Sequence, residues 1–138
     1  MAMTPRHNGT ITDIVLHHSA TAAGVMLPIQ EVHRWHLGRG WDGVGYHYLV
    51  QPDGTVESGR PEFWTGSHVA RQNTGKIGVC VVGSGKPSTP DQEEAVVSLV
   101  LRLLQRYPDS EVKGHRDFMA TECPGFDVAE WWDAVRTG

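Results

Sequence analysis

Short unbroken apolar runs and helical stripes follow one another along this chain, separated by clusters of Gly, Pro, Asn and Asp. Residues 13–17, DIVLH, form the first run and read as a buried strand entered through Thr10 or Thr12. Pro28 suits a first helical position, and Ile29, Val32, His33 and His36 then fall on one face before Gly38 and Gly40 stop the helix. Residues 46–50, YHYLV, are rich in strand formers and run into the turn signal Pro52-Asp53-Gly54, with residues 55–57 returning as a hairpin partner. A Gly-rich stretch, 58–75, is a long loop of the kind that carries function in small domains. Residues 76–82, KIGVCVV, form another apolar strand. Thr89-Pro90-Asp91-Gln92 has the form of a capping box, opening a helix with Val96, Val100, Leu103, Leu104 and Tyr107 on one stripe and Pro108 at its end. A short strand at 111–113 follows. Asp127 and Glu130 cap a last helix whose inner face carries Val128, Trp131, Trp132 and Val135. Strands interleaved with three helices predict an α/β fold, a sheet covered by helices.

Composition narrows the class. With 138 residues and 39% hydrophobic content, the expectation is one domain over residues 1–138, large enough for a core without disulfides. No repeat or linker divides it. A net charge of −4 with Lys and Arg scattered singly argues against a nucleic-acid binder. No run approaches the roughly 20 apolar residues of a membrane span. The start, MAMTPRHNGT, lacks a basic segment followed by an apolar one, so synthesis in the cytoplasm is expected. Of the two cysteines, Cys80 lies inside IGVCVV and reads as a small buried hydrophobe, whereas Cys123 follows a loop.

Cys123 also stands eight positions after His115 in KGHRDFMATECPG, where Pro124 and Gly125 provide a sharp turn. Together with an imidazole from HHSAT these would make two neutral nitrogens and one thiolate, the donor set of a catalytic zinc site that leaves its fourth position to water. Donor type alone does not choose among eight histidines. Side chains alternate along a strand, so only one of His17 and His18, and only one of Tyr46 and His47, can enter a given site. His33 and His36 read as core histidines, and His7 as terminal. Two other chemistries are open: a thiol hydrolase using Cys123 with His115, and a glycosidase using a pair among Asp53, Glu57 and Glu62. Trp41 and Trp64 are candidate aromatic walls for a ligand.

Four segments in order, HHSAT, GWDGVGYHYLVQPDGTVESGR, NTGKIGVCVVG and GHRDFMATECPGFDVAEWW, resemble the zinc-dependent N-acetylmuramoyl-L-alanine amidases of the second type. That family includes small phage endolysins and the animal peptidoglycan recognition proteins, and the resemblance runs from about residue 13 to 132. It implies a single domain with a central mixed sheet of about five strands and flanking helices. It implies Zn2+ held by His17, His115 and Cys123, with Tyr46 and Thr121 as transition-state helpers. Thr121 stands where the phage members carry lysine and where catalytic recognition proteins carry threonine. His68 and Asn73 in the long loop, and Trp64 beside them, are the expected substrate contacts; His47 would support a ligand imidazole. The implied activity is peptidoglycan hydrolysis at the bond between N-acetylmuramic acid and L-alanine, by a monomer without a separate wall-binding module, acting on the periplasmic wall after release. The alternatives are a muropeptide-binding module that does not cut, and an additional partner, a phage RNA polymerase.

Overall fold

A computed structural model describes residues 6–41 and 43–137. In chain order the elements are β1 (Asp13–His18), α1 (Ile29–Gly38), β2 (Tyr48–Val50), β3 (Val56–Ser58), β4 (Lys76–Val81), α2 (Pro90–Arg106), β5 (Glu111–Gly114), a 3-10 turn (His115–Asp117) and α3 (Val128–Thr137). The strands form one five-stranded mixed sheet in the order β3-β2-β4-β1-β5. Only the β2–β3 pair is antiparallel; β4, β1 and β5 run parallel, with Ile14 opposite Ile77 and Val112, and His17 opposite Cys80.

The apolar runs in the sequence follow from this order. β1 and β4 are interior strands covered on both faces, so neither face needs polar side chains. On one face Ile14, Leu16, Ile77, Val79 and Val81 meet Val96, Val100 and Leu103 of α2 and Trp131 and Trp132 of α3 in one large core. On the other, Cys80 packs with Leu49, Val82, Leu27 and Val32, and Tyr46 leans on that smaller cluster. His17 shares the face of Cys80 because the two are in register. This parity puts the imidazole of His17 on the α1 side of the sheet, away from the main core.

Caps lock the helices to the strand ends. Thr89 Oγ1 accepts the amide of Gln92 at 3.0 Å, with Pro90 at the first helical position. The buried amide of Gln92 then donates to the carbonyls of Val50 and Val82, at 3.0 and 2.9 Å, which ties α2 to the ends of β2 and β4. Asp127 Oδ1 accepts from the amide of Glu130 at 3.0 Å as α3 begins.

Two expectations require correction. The hairpin strands are Tyr48–Val50 and Val56–Ser58, so Tyr46 and His47 precede the strand. There the backbone bonds to other partners: the His47 amide donates to Gly78, and its carbonyl accepts from Gly59. His33 is exposed, not in the core, because α1 is ten residues long and buries only Val32 and His36, one turn apart. Its Nδ1 accepts the Val44 amide at 3.2 Å instead. No described helix is long and apolar enough to cross a membrane. The first five residues of the opening segment MAMTPRHNGT lie outside the described residues.

Buried histidines make the fold acid-sensitive. Burial, with Arg39 nearby, lowers the His36 pKa to about 4, and burial lowers that of His47. Both imidazoles stay neutral in the fold under conditions where the unfolded chain takes up protons near 6.5. The unfolded state therefore binds more protons as pH falls below that value, and stability drops. Thermal denaturation should give a melting temperature several degrees lower at pH 5 than at pH 7.5. A flat profile over that interval would contradict the neutral assignment.

Candidate active site

His17 occupies the carboxyl end of β1, and His115 follows the carboxyl end of its neighbour β5, so adjacent parallel strands deliver both imidazoles to one edge of the sheet. This is where open α/β sheets place their ligand sites. The Asp117 carboxylate accepts the Gly114 amide at 2.8 Å, pinning the turn that carries His115. The loop beyond folds back: Arg116 donates its amide to the Cys123 carbonyl at 2.8 Å, and the Cys123 amide donates to Thr121 Oγ1 at 3.3 Å. Cys123 Sγ thereby reaches within 3.8 Å of His17 Nδ1 and accepts the His18 amide at 3.4 Å.

The donor atoms of His17, His115 and Cys123 all lie within 4.8 Å of one another. Nitrogen and sulfur donors on one tetrahedral zinc stand about 3.6 Å apart, given Zn–N and Zn–S lengths near 2.1 and 2.3 Å, so the His17–Cys123 pair fits such an ion. Electrostatics agree for the nitrogens. Burial holds the His17 pKa well below 6.5, with His68 and His115 adding to the effect, and burial lowers that of His115 as well. Both rings are therefore neutral donors at pH 7. Burial raises the Cys123 pKa against the pull of the His18 amide, and a cation beside the thiol would favour its ionised form. The raised pKa is the opposite of the depressed pKa a thiol nucleophile requires, and it weakens the thiol-hydrolase alternative.

Tyr46 lines the same pocket, its ring 5.1 Å from that of His17 and 5.5 Å from that of His36. Burial and the nearby Cys80 and Cys123 push its pKa well above 10, so its hydroxyl remains a proton donor. The Cys80 thiol is buried in the small apolar cluster against which this ring leans. Thr121 accepts the Cys123 amide, and among the described residues its own O–H has no acceptor and can donate.

The long loop differs from expectation. His68, expected to touch substrate, is only 7% exposed and lies behind His17, its Nδ1 2.9 Å from His17 Nε2. Asn73 Oδ1 accepts the amides of His68 and Val69, at 2.8 and 2.7 Å, and so braces the loop. Trp64 bridges the backbone to His7 and packs edge-on against Phe63. His47 sits one step further back: its Nδ1 accepts the Gly78 amide, and its Nε2 donates to the Trp64 carbonyl at 2.7 Å. His68, and not His47, is therefore the imidazole that meets the ring of His17. The signal in the sequence was Gly78, a glycine interrupting a buried strand where another group approaches closely.

The remaining polar candidates have structural work. His36 Nδ1 accepts the Gly45 amide at 2.8 Å, and the Trp41 ring packs 4.6 Å from that of His36 at the helix end. His18 Nδ1 accepts the Gly85 amide, and Glu122 is exposed. Asp53 closes its turn on the Thr55 amide, Glu57 accepts from Gln51, and Glu62 is held by Tyr48, Tyr107 and Arg106. Three carboxylates so engaged leave no pair poised as acid and base for a glycosidase.

Fold and site together define a class: an α/β domain with a candidate mononuclear metal centre at the carboxyl ends of its parallel strands. Residues 7–126 match the family model for N-acetylmuramoyl-L-alanine amidase, designated Amidase_2, and the chain belongs to that family. It is 40% identical over 131 residues to an endolysin of Enterobacteria phage T3, covering 90% of this chain and 87% of the endolysin. Among solved structures it is similar to the N-acetylmuramoyl-L-alanine amidase LysC from Clostridium intestinale URNW, with a TM-score of 0.88 and 32% identity over 99% of this chain and 91% of that one. Drosophila PGRP-LB superimposes with a TM-score of 0.80 at 26% identity, over 94% and 85% of the two chains.

Proposed function

We propose that this amidase is a phage-type endolysin that hydrolyses the amide between the lactyl group of N-acetylmuramic acid and the L-alanine of the peptidoglycan stem, with zinc held by His17, His115 and Cys123. The observation that carries the reading is the convergence of those three donor atoms within 4.8 Å in a chain of the amidase family. When bound, zinc lowers the pKa of a coordinated water to about 7 and polarises the scissile carbonyl. The chain's own groups supply the rest. The neutral imidazoles of His17 and His115 and the sulfur of Cys123 hold the ion, and His115 and Cys123, both partly exposed, leave the cluster open on the solvent side. Tyr46, kept protonated, and Thr121, whose O–H can donate, are the donors for negative charge developing on the carbonyl oxygen. A phage RNA polymerase is proposed as a further partner from the family resemblance alone.

Digestion of purified sacculi tests the reaction. New free amino groups at alanine, no new reducing sugar ends, and loss of both changes in chelator are the expected result. Reducing ends without amines would establish glycosidase chemistry, whereas protein that sediments with sacculi and releases nothing would establish a binding module.

A further inference from the structure

Behind His17 stands an imidazole to which the chemistry above gives no task. His68 and His17 meet nitrogen to nitrogen, Nδ1 to Nε2 at 2.9 Å, with rings at 81°. The slot that His68 fills is made by two glycines: a Cβ on Gly78 would come within 2.7 Å of the imidazole, and one on Gly66 within 2.5 Å. Asn73 fixes the backbone by accepting the His68 amide. The other ring nitrogen, Nε2, is buried and has no hydrogen-bond partner among the described residues.

Two facing ring nitrogens at this distance share one proton. His17 Nδ1 is the nitrogen turned toward Cys123 Sγ. It has a lone pair to give a metal only if the His17 proton is on Nε2, and that proton then points at His68 Nδ1. His68 must accept there and carry its own proton on the buried Nε2. In either tautomer that outer nitrogen is stranded, which is costly. Packing alone therefore gives no reason for a histidine, since an apolar side chain would fill the slot without the cost. His47 does not compete for the proton, because its two nitrogens are already engaged by the Gly78 amide and the Trp64 carbonyl.

We propose that His68 is a positioning residue for the metal site: by accepting the Nε2 proton of His17 it fixes the tautomer and ring angle with which His17 Nδ1 meets zinc. The proposal rests on the reading of His17, His115 and Cys123 as zinc ligands. Loss of such a partner typically costs 10-fold to 100-fold in metal affinity, on the order of magnitude seen across zinc proteins.

Chelator competition on the parent, His68→Asn and His68→Leu proteins measures this. Asparagine places a carbonyl oxygen near the Nδ1 position and should keep zinc affinity within a few-fold of the parent. Leucine fills the slot without an acceptor and should bind zinc roughly 10-fold to 100-fold more weakly. On the zinc-loaded parent, 15N NMR should show a protonated His17 Nε2 with a through-hydrogen-bond coupling to His68 Nδ1; this reading needs no variant to fold. A leucine variant that binds zinc as tightly as the parent overturns the proposal alone, as does a zinc-loaded parent with its proton on His17 Nδ1. A parent that takes up no zinc overturns the zinc reading and the proposal with it.

Discussion

Cys123→Ala is expected to lose bound zinc and to fall in turnover by on the order of a thousandfold or more, with the fold retained. Several kcal/mol of charge stabilisation depend on the ion, and each 1.36 kcal/mol is about a factor of ten in rate. The side chain is partly exposed and lies in a loop held by backbone bonds from Arg116 and to Thr121, none of which needs the sulfur. Its sulfur accepts the His18 amide, lies 4.0 Å from the His18 carbonyl and faces His17, so removing it empties one corner of the cluster without opening the core. Metal content after purification, circular dichroism and release of amino groups from sacculi check the three parts. Undiminished zinc in both this variant and His115→Ala would remove the ligand assignment.

Tyr46→Phe should show the reverse pattern, full zinc content with turnover reduced on the order of 100-fold or more, the usual cost of one oxyanion donor. The ring itself packs against His17 and the small cluster around Cys80, and phenylalanine preserves that contact. Only the hydroxyl is lost, and burial keeps that hydroxyl protonated in the parent. Thr121→Ala should reduce rate by a smaller factor, since the hydroxyl also accepts the Cys123 amide. A Tyr46→Phe enzyme as fast as the parent takes this residue out of the mechanism.

The sequence made the interior strands legible because β1 and β4 are covered on both faces and therefore read as unbroken apolar runs. Thr89 and Asp127 marked two helix starts by chemistry that is local to a single turn. The candidate metal cluster was different in kind. His17 and Cys123 are 106 positions apart, and no periodicity links them; only the resemblance of whole segments joined them. Position 33 was misread because an inward stripe inferred over a full helix face was wider than the two residues that a ten-residue helix buries. His68 was misread because its slot exists only when the loop has folded onto β4 and met Gly78, a contact between distant parts of the chain. Polar residues in loops take their roles from such late contacts, which one-dimensional patterns do not encode.

The strand order β4-β1-β5 makes β1, the earliest of the sheet's described strands, the middle member of the parallel trio. It must wait for partners on either side, the later of which begins only at Glu111. If His17, His115 and Cys123 hold zinc as proposed, a ribosome-bound chain still short of Cys123 lacks part of the donor set, and the site is completed only once that cysteine has been added. A bound ion would then act as a clasp on the finished topology, tying the opening strand to the closing segment and discouraging the carboxyl-terminal part from peeling away first.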